Sequence, residues 1–102
     1  MKISTSKKNV KVADKQGRDV IIDGNPIYID LSTGNIMKFT KLANELGDEP
    51  DALFELSKAV FEKESFELVE QLELQDFITV MDIVVDIIEN YQIKTEQRFE
   101  RA

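Results

Sequence analysis

Residues 74–91 have the sequence LQDFITVMDIVVDIIENY, a nearly continuous apolar run with single acids spaced along it. On a helix, which turns about 100° per residue, the apolar side chains of this segment cover an arc of roughly 220°. A surface helix needs an apolar stripe of only about 100° or a little more. We therefore predict a helix from Leu74 or Gln75 to Tyr91 that either packs on several sides within its own domain or presents part of this arc to another chain.

Shorter helices are predicted immediately before this segment. Ser32 or Thr33 can cap the first, whose apolar residues recur at three- and four-residue steps until Gly47 provides a C-terminal stop. Pro50 suits the first turn of the second helix, which we expect to continue to about Lys63. The core predicted from these helical faces comprises Phe39, Leu42, Leu46, Leu53, Leu56, Val60, Val69, Leu72, Phe77, Val80, Val84 and Ile88.

Residues 1–31 predict β-strands rather than helices. Aliphatic residues alternate with other residues at 10–12 and at 27–31, and β-branched residues run together at 20–22. Glycine-containing turns separate these segments and indicate a β-hairpin or a three-stranded meander. Because a few short strands are marginally stable alone, we expect these residues to be held less firmly than residues 74–91.

Together these patterns predict a mainly α fold of the α+β class. An extended β-hairpin or meander at residues 1–31 precedes a helical domain at 32–91, which we expect to be a compact bundle of about four helices. In that domain Ser65 is expected to cap a short third helix. Residues 92–102 are mostly polar and are predicted to form a C-terminal tail that frays.

The composition excludes several function classes. The 102 residues include neither cysteine nor histidine, so thiol chemistry and the usual base near neutral pH are absent. The net charge is −7, with the acids concentrated after residue 31, so we expect no nucleic-acid partner. No apolar segment is long enough for a membrane span, and no motif predicts a catalytic, cofactor-binding or metal-binding site. We therefore expect a small cytosolic protein that is not an enzyme.

The apolar surplus instead points to protein binding. Phe54 and Phe61 lie seven residues apart and would share a stripe on the second helix, where they belong either to the core or to an interface. Ile78 and Val85 lie on the flank of the apolar arc of the last helix. We take these four as the candidate protein-binding residues. The same surplus predicts self-association into a homo-oligomer.

Three segments of the chain resemble one protein family. They are the sequence Ile-Tyr-Ile-Asp-Leu-Ser at residues 27–32, the helix predicted at 35–46, and the pattern Leu-x-Leu-x-Asp-Phe at 72–77 that leads into the last helix. In the order of these segments, in its size and in its pattern of apolar and acidic residues, the chain is similar to the tail assembly chaperones of long-tailed bacteriophages that infect Gram-positive hosts. The resemblance implies a protein of the bacterial host cytoplasm that binds and solubilises the hydrophobic tape measure protein, or another phage tail protein, during tail morphogenesis.

Two other classes remain open at this point. One is a structural tail-completion or connector component of the virion, whose hairpin would add to a neighbour's sheet. The other is a small regulator that binds a host protein. A virion component would be present in purified particles, whereas a chaperone would leave before the tail is complete.

Overall fold

The computed structural model describes residues 1–2, 9–46 and 49–101, with side chains described as far as Gln92. Within these residues a small β region precedes four helices, which confirms the predicted mainly α fold. The strands are β1 (Asn9–Lys11), β2 (Ile21–Ile22), β3 (Asn25–Pro26) and β4 (Tyr28–Asp30). The helices are α1 (Thr33–Leu46), α2 (Pro50–Val60), α3 (Lys63–Val69) and α4 (Leu74–Arg101).

The β region folds back on itself around Val12. β1 pairs antiparallel with β4, and β2 pairs antiparallel with β3 in a hairpin. The backbone N–H of Val12 donates to the carbonyl of Ile27 at 2.9 Å, while its carbonyl accepts from the N–H of Val20 at 3.0 Å. The β2–β3 turn places Asp23 and Gly24 at φ values of 50° and 79°, as a tight two-residue hairpin turn requires.

The strands and the helices share one hydrophobic core. Val12, Ile27 and Ile29 are fully buried and belong to the same cluster as the buried residues of α2 and α4. The division at residue 31 therefore separates strand from helix, but not one core from another. Weaker protection of residues 1–31 stays a prediction, and the structure gives reason to expect it in the turns rather than around these three buried side chains.

Two helix boundaries differ from those predicted. α2 ends at Val60 rather than near Lys63, and the next residue, Phe61, is extended with φ −75° and ψ 144°. α3 begins at Lys63 with Glu62 in the capping position, so Ser65 lies inside this helix instead of capping it. The predicted stop at Gly47 lies outside the described residues.

The last helix is longer than predicted. α4 continues through Arg101, so the backbone of most of the expected polar tail is helical. The segment after Tyr91 contains no glycine or proline, and its Gln, Lys, Glu and Arg residues have favourable helix propensity. Although α4 is long, no helix within the described parts of the chain is apolar enough over a sufficient length to cross a membrane.

Most of the predicted core is buried. The exceptions are Leu42 and Leu72, which are half-buried, and Leu46, which is 42% exposed at the last turn of α1. On α4 one line of side chains is buried along the helix: Phe77, Val80, Met81, Val84 and Ile88. α4 is thus packed as a central helix along the middle of its apolar arc, while the flanks of the arc are only half-buried.

Candidate protein-binding grooves

The structure does not bring the four predicted binding residues together on one surface. Phe61 is only 7% exposed and belongs to the core. Phe54, Ile78 and Val85 are half-buried and pack partly against that core. The predicted stripe of Phe54 and Phe61 does not form, because the helix ends one residue before Phe61.

β4 determines where Phe61 points. Ile29 of β4 forms an isolated antiparallel bridge with Phe61, and the N–H of Glu62 donates to the carbonyl of Tyr28 at 3.2 Å. In return, the N–H of Tyr28 donates to the hydroxyl of Ser65 at 2.8 Å. Because of these contacts the backbone at Phe61 is extended instead of helical, and the Phe61 ring is buried in the core rather than exposed on a binding surface.

Phe54 lines an open groove beside the N-terminal half of α2. The groove has a volume of about 270 Å³. It forms where the first turns of α2 meet the connection from α3 to α4, and we call it the α2–α4 groove. Its lining residues are Pro50, Asp51, Phe54, Glu70, Leu72, Leu74 and Phe77. Leu74 is 59% exposed, so a large aliphatic side chain stands at the edge of an aromatic surface.

The Phe54 ring packs against two other aromatic rings beside this groove. Its centroid lies 5.6 Å from that of Phe66 and 6.3 Å from that of Phe77. Both pairs of rings are tilted, and aromatic pairs at these distances prefer such an arrangement to face-to-face stacking. The ammonium of Lys58 lies 4.8 Å from the Phe54 centroid, a cation–π distance. The ring is therefore positioned before any partner binds, which lowers the entropic cost of using it as a contact.

A second groove lies between the β region and α4. Its volume is about 320 Å³. It is lined by Ala13, Asp14, Lys15, Gln16, Thr79, Asp82, Ile83, Asp86, Ile87 and Asn90, and we call it the hairpin groove. The ammonium of Lys15 lies 3.5 Å from the carboxylate of Asp86 and links its two sides.

The turn beside the hairpin groove is organised by Asp14. Its Oδ1 accepts from the N–H groups of Gln16 at 3.0 Å and Arg18 at 2.9 Å, and its Oδ2 accepts from Nε of Arg18 at 2.9 Å. The hydrogen bond from the Arg18 backbone, with the guanidinium beside it, lowers the pKa of the Asp14 carboxyl. Gly17 adopts φ +80° in this turn, a conformation that favours glycine.

Local sequence patterns predict only part of the surfaces of the two grooves. Ile83 and Ile87 belong to the predicted apolar arc of α4, but they lie on the flank opposite to that of Ile78 and Val85, which are the predicted binding residues. Leu72 was predicted as core and Leu74 as a helix start. Their place beside Phe54 depends on how the α3–α4 connection meets α2, and no local pattern reports that contact.

Among the described residues, no group of three or more acidic, histidine or cysteine side chains is arranged to hold a metal ion. No match to this chain was found among known protein families, characterised proteins or solved structures. What the molecule does must therefore be inferred from its own surface. Of the two grooves, the α2–α4 groove contains the candidate residue Phe54 and the more exposed apolar edge.

Proposed function

We propose that this protein is a non-enzymatic tail assembly chaperone that binds the hydrophobic tape measure protein in the bacterial cytoplasm and keeps it soluble during phage tail morphogenesis. The observation that carries the proposal is the α2–α4 groove, where a fixed, half-buried Phe54 and an exposed Leu74 offer apolar surface to another chain. The resemblance in three segments of the sequence supports the choice of client.

The size of the groove suits this role. A space of about 270 Å³ accepts one or two apolar side chains and is small for a drug-sized ligand. Burying such a side chain contributes about 1.5–3 kcal/mol, so a single contact is weak. A chaperone for a long helical protein must bind many segments of different sequence, and many copies that each make one weak contact along the client meet that need.

The many acidic residues support the proposal that the protein keeps its client soluble. Residues 48–89 contain thirteen acids and only two lysines. A client coated with such a protein gains negative charge, which keeps the complex soluble and makes coated clients repel each other. A connector that adds a strand to a neighbouring sheet has less support, because the described strands are only two or three residues long.

Co-expression with the tape measure protein tests the proposal. We expect the wild-type chain to move the client from the insoluble to the soluble fraction, and Phe54→Ser with Leu74→Ser to abolish this effect. Both side chains are at least partly exposed, so the double variant should keep the helical circular dichroism of the wild type. Met37→Ser is the matched control, since Met37 is 67% exposed on α1 and lines neither groove.

The proposal fails if the double variant folds and still solubilises the client, or if the wild-type chain has no effect on it. Purified phage particles give a second check, because a chaperone should be absent from them and a connector should be present.

Self-association is a competing use of the same surface, and we include it in the proposal. Without a client, a second copy can cover the exposed Leu74. Sedimentation at rising protein concentration should show dimers or larger species for the wild type and fewer for Leu74→Ser. A wild-type chain that remains monomeric up to about millimolar concentration, where contacts of about 4 kcal/mol become visible, would show that the groove does not mediate self-association.

A further inference from the structure

Two carboxylates lie on the rim of the α2–α4 groove. Asp51 is in the first turn of α2 and Glu70 is at the C-terminal end of α3, and both side chains are exposed. Neither forms a salt bridge with a described residue, and none of the lysines and arginines whose side chains the structure describes lines the groove. The nearby Lys58 lies over Phe54 and 3.6 Å from the carboxylate of Glu55. The groove therefore combines an apolar floor with an uncompensated negative rim.

We infer that the α2–α4 groove selects apolar anchor side chains that are flanked by lysine or arginine, within an amphipathic helical segment of the partner. The inference rests on the proposed function, since it names the kind of client segment that the groove prefers. The apolar floor recognises the anchor, and the rim selects its neighbours by charge. Segments in which the same anchor is flanked by acids are rejected.

The expected preference follows from the exposure of the rim. Exposed ion pairs are individually weak because water screens them, so two such pairs give a preference of about tenfold at low salt. The preference must also decline with ionic strength. The Debye length shortens from about 30 Å at 0.01 M to about 3 Å at 1 M, which removes most of the attraction at the rim and leaves the apolar contact.

Two synthetic peptides provide the test. Both form amphipathic helices with the same leucine and phenylalanine positions, and they differ only in having lysine or glutamate beside the anchors. We expect the lysine peptide to bind the full-length wild-type chain about tenfold more tightly by fluorescence anisotropy at low salt, with the difference largely lost near 1 M.

A matched pair of double variants separates the rim from the net charge. Asp51→Asn with Glu70→Gln should reduce the preference severalfold. Glu64→Gln with Glu67→Gln removes the same charge from exposed positions outside the groove, and Glu64 also lies in the first turn of its helix, as Asp51 does. This control should retain most of the preference. Equal binding of both peptides, no binding of either, or an equal loss in the control variant would each overturn the inference.

These outcomes are distinct from failure of the proposed function. If the tape measure protein is solubilised but the peptides bind equally, the chaperone function stands and the charge selectivity is wrong. If the lysine peptide is preferred but the tape measure protein stays insoluble, the groove binds basic amphipathic segments of a different partner.

Discussion

The two halves of α2 have different surroundings, although a phenylalanine belongs to each: Phe54 lies within the N-terminal half, and Phe61 directly follows the C-terminal end. At its C-terminal end β4 packs against the α2–α3 junction, and Phe61 is only 7% exposed. The carbonyl of Tyr28 accepts a hydrogen bond from the N–H of Glu62, and the N–H of Tyr28 donates to the hydroxyl of Ser65. In its N-terminal half, Phe54 lines the open α2–α4 groove, and none of the described residues that line this groove belongs to a strand. The difference shows that an aromatic side chain is buried in the core or left lining an open groove according to which neighbouring segment covers it, and not according to its spacing along the helix.

The largest expected effect comes from exchanging the two phenylalanines for serine, one at a time. Phe61→Ser should lower the free energy of unfolding by about 3–5 kcal/mol, because it leaves a cavity and a polar hydroxyl in the core. Phe54→Ser should lower it clearly less, because its ring is already partly in water. Urea unfolding of both variants measures the difference. Equal losses would mean that the two ends of α2 are equally buried.

A smaller effect is expected at the hydrogen bond that closes the junction. Ser65→Ala removes the acceptor of the Tyr28 N–H and leaves that donor without its partner, which should cost about 1–3 kcal/mol. Hydrogen exchange of the Tyr28 amide should accelerate, while amides in the first turns of α2 should change little. If exchange rises equally at both ends of α2, the junction is not a separate unit.

The smallest effect concerns the turn at Asp14, which belongs to neither end of α2. Since the folded-state pKa of Asp14 is lowered, its carboxylate stabilises the protein above its unfolded pKa, and this contribution is lost as the pH falls through the folded pKa. Wild type should therefore be slightly more stable than Asp14→Asn at neutral pH, with the gap closing below about pH 4. Thermal unfolding at several pH values checks this, and a gap independent of pH would contradict it.

Local patterns in the sequence predict much of the fold. The apolar arc identifies α4, Pro50 marks the start of α2, and the Asp23–Gly24 turn identifies the hairpin. Each of these signals lies within a few residues of the feature that it predicts. They depend on intrinsic helix and turn preferences, which need no tertiary contact.

The end of α2 could not be predicted in the same way. Residues 51–65 contain no glycine or proline, so nothing local stops the helix at Val60. The helix ends there because Ile29 and Tyr28, more than thirty residues earlier, pair with Phe61 and Glu62. The candidate site shares this limit: Phe54 could be selected from its spacing, but Leu74 joins it only through the tertiary packing that forms the groove.

Site-specific photocrosslinking tests the central claim most directly. A photoreactive amino acid is placed either at Leu74, in the α2–α4 groove, or at Met37, a similarly exposed apolar position on α1 outside it. After co-expression with the tape measure protein and irradiation, we predict that the client is crosslinked from position 74 and not from position 37. Crosslinks from position 37 alone, or equally from both positions, would contradict the assignment of the groove as the binding surface.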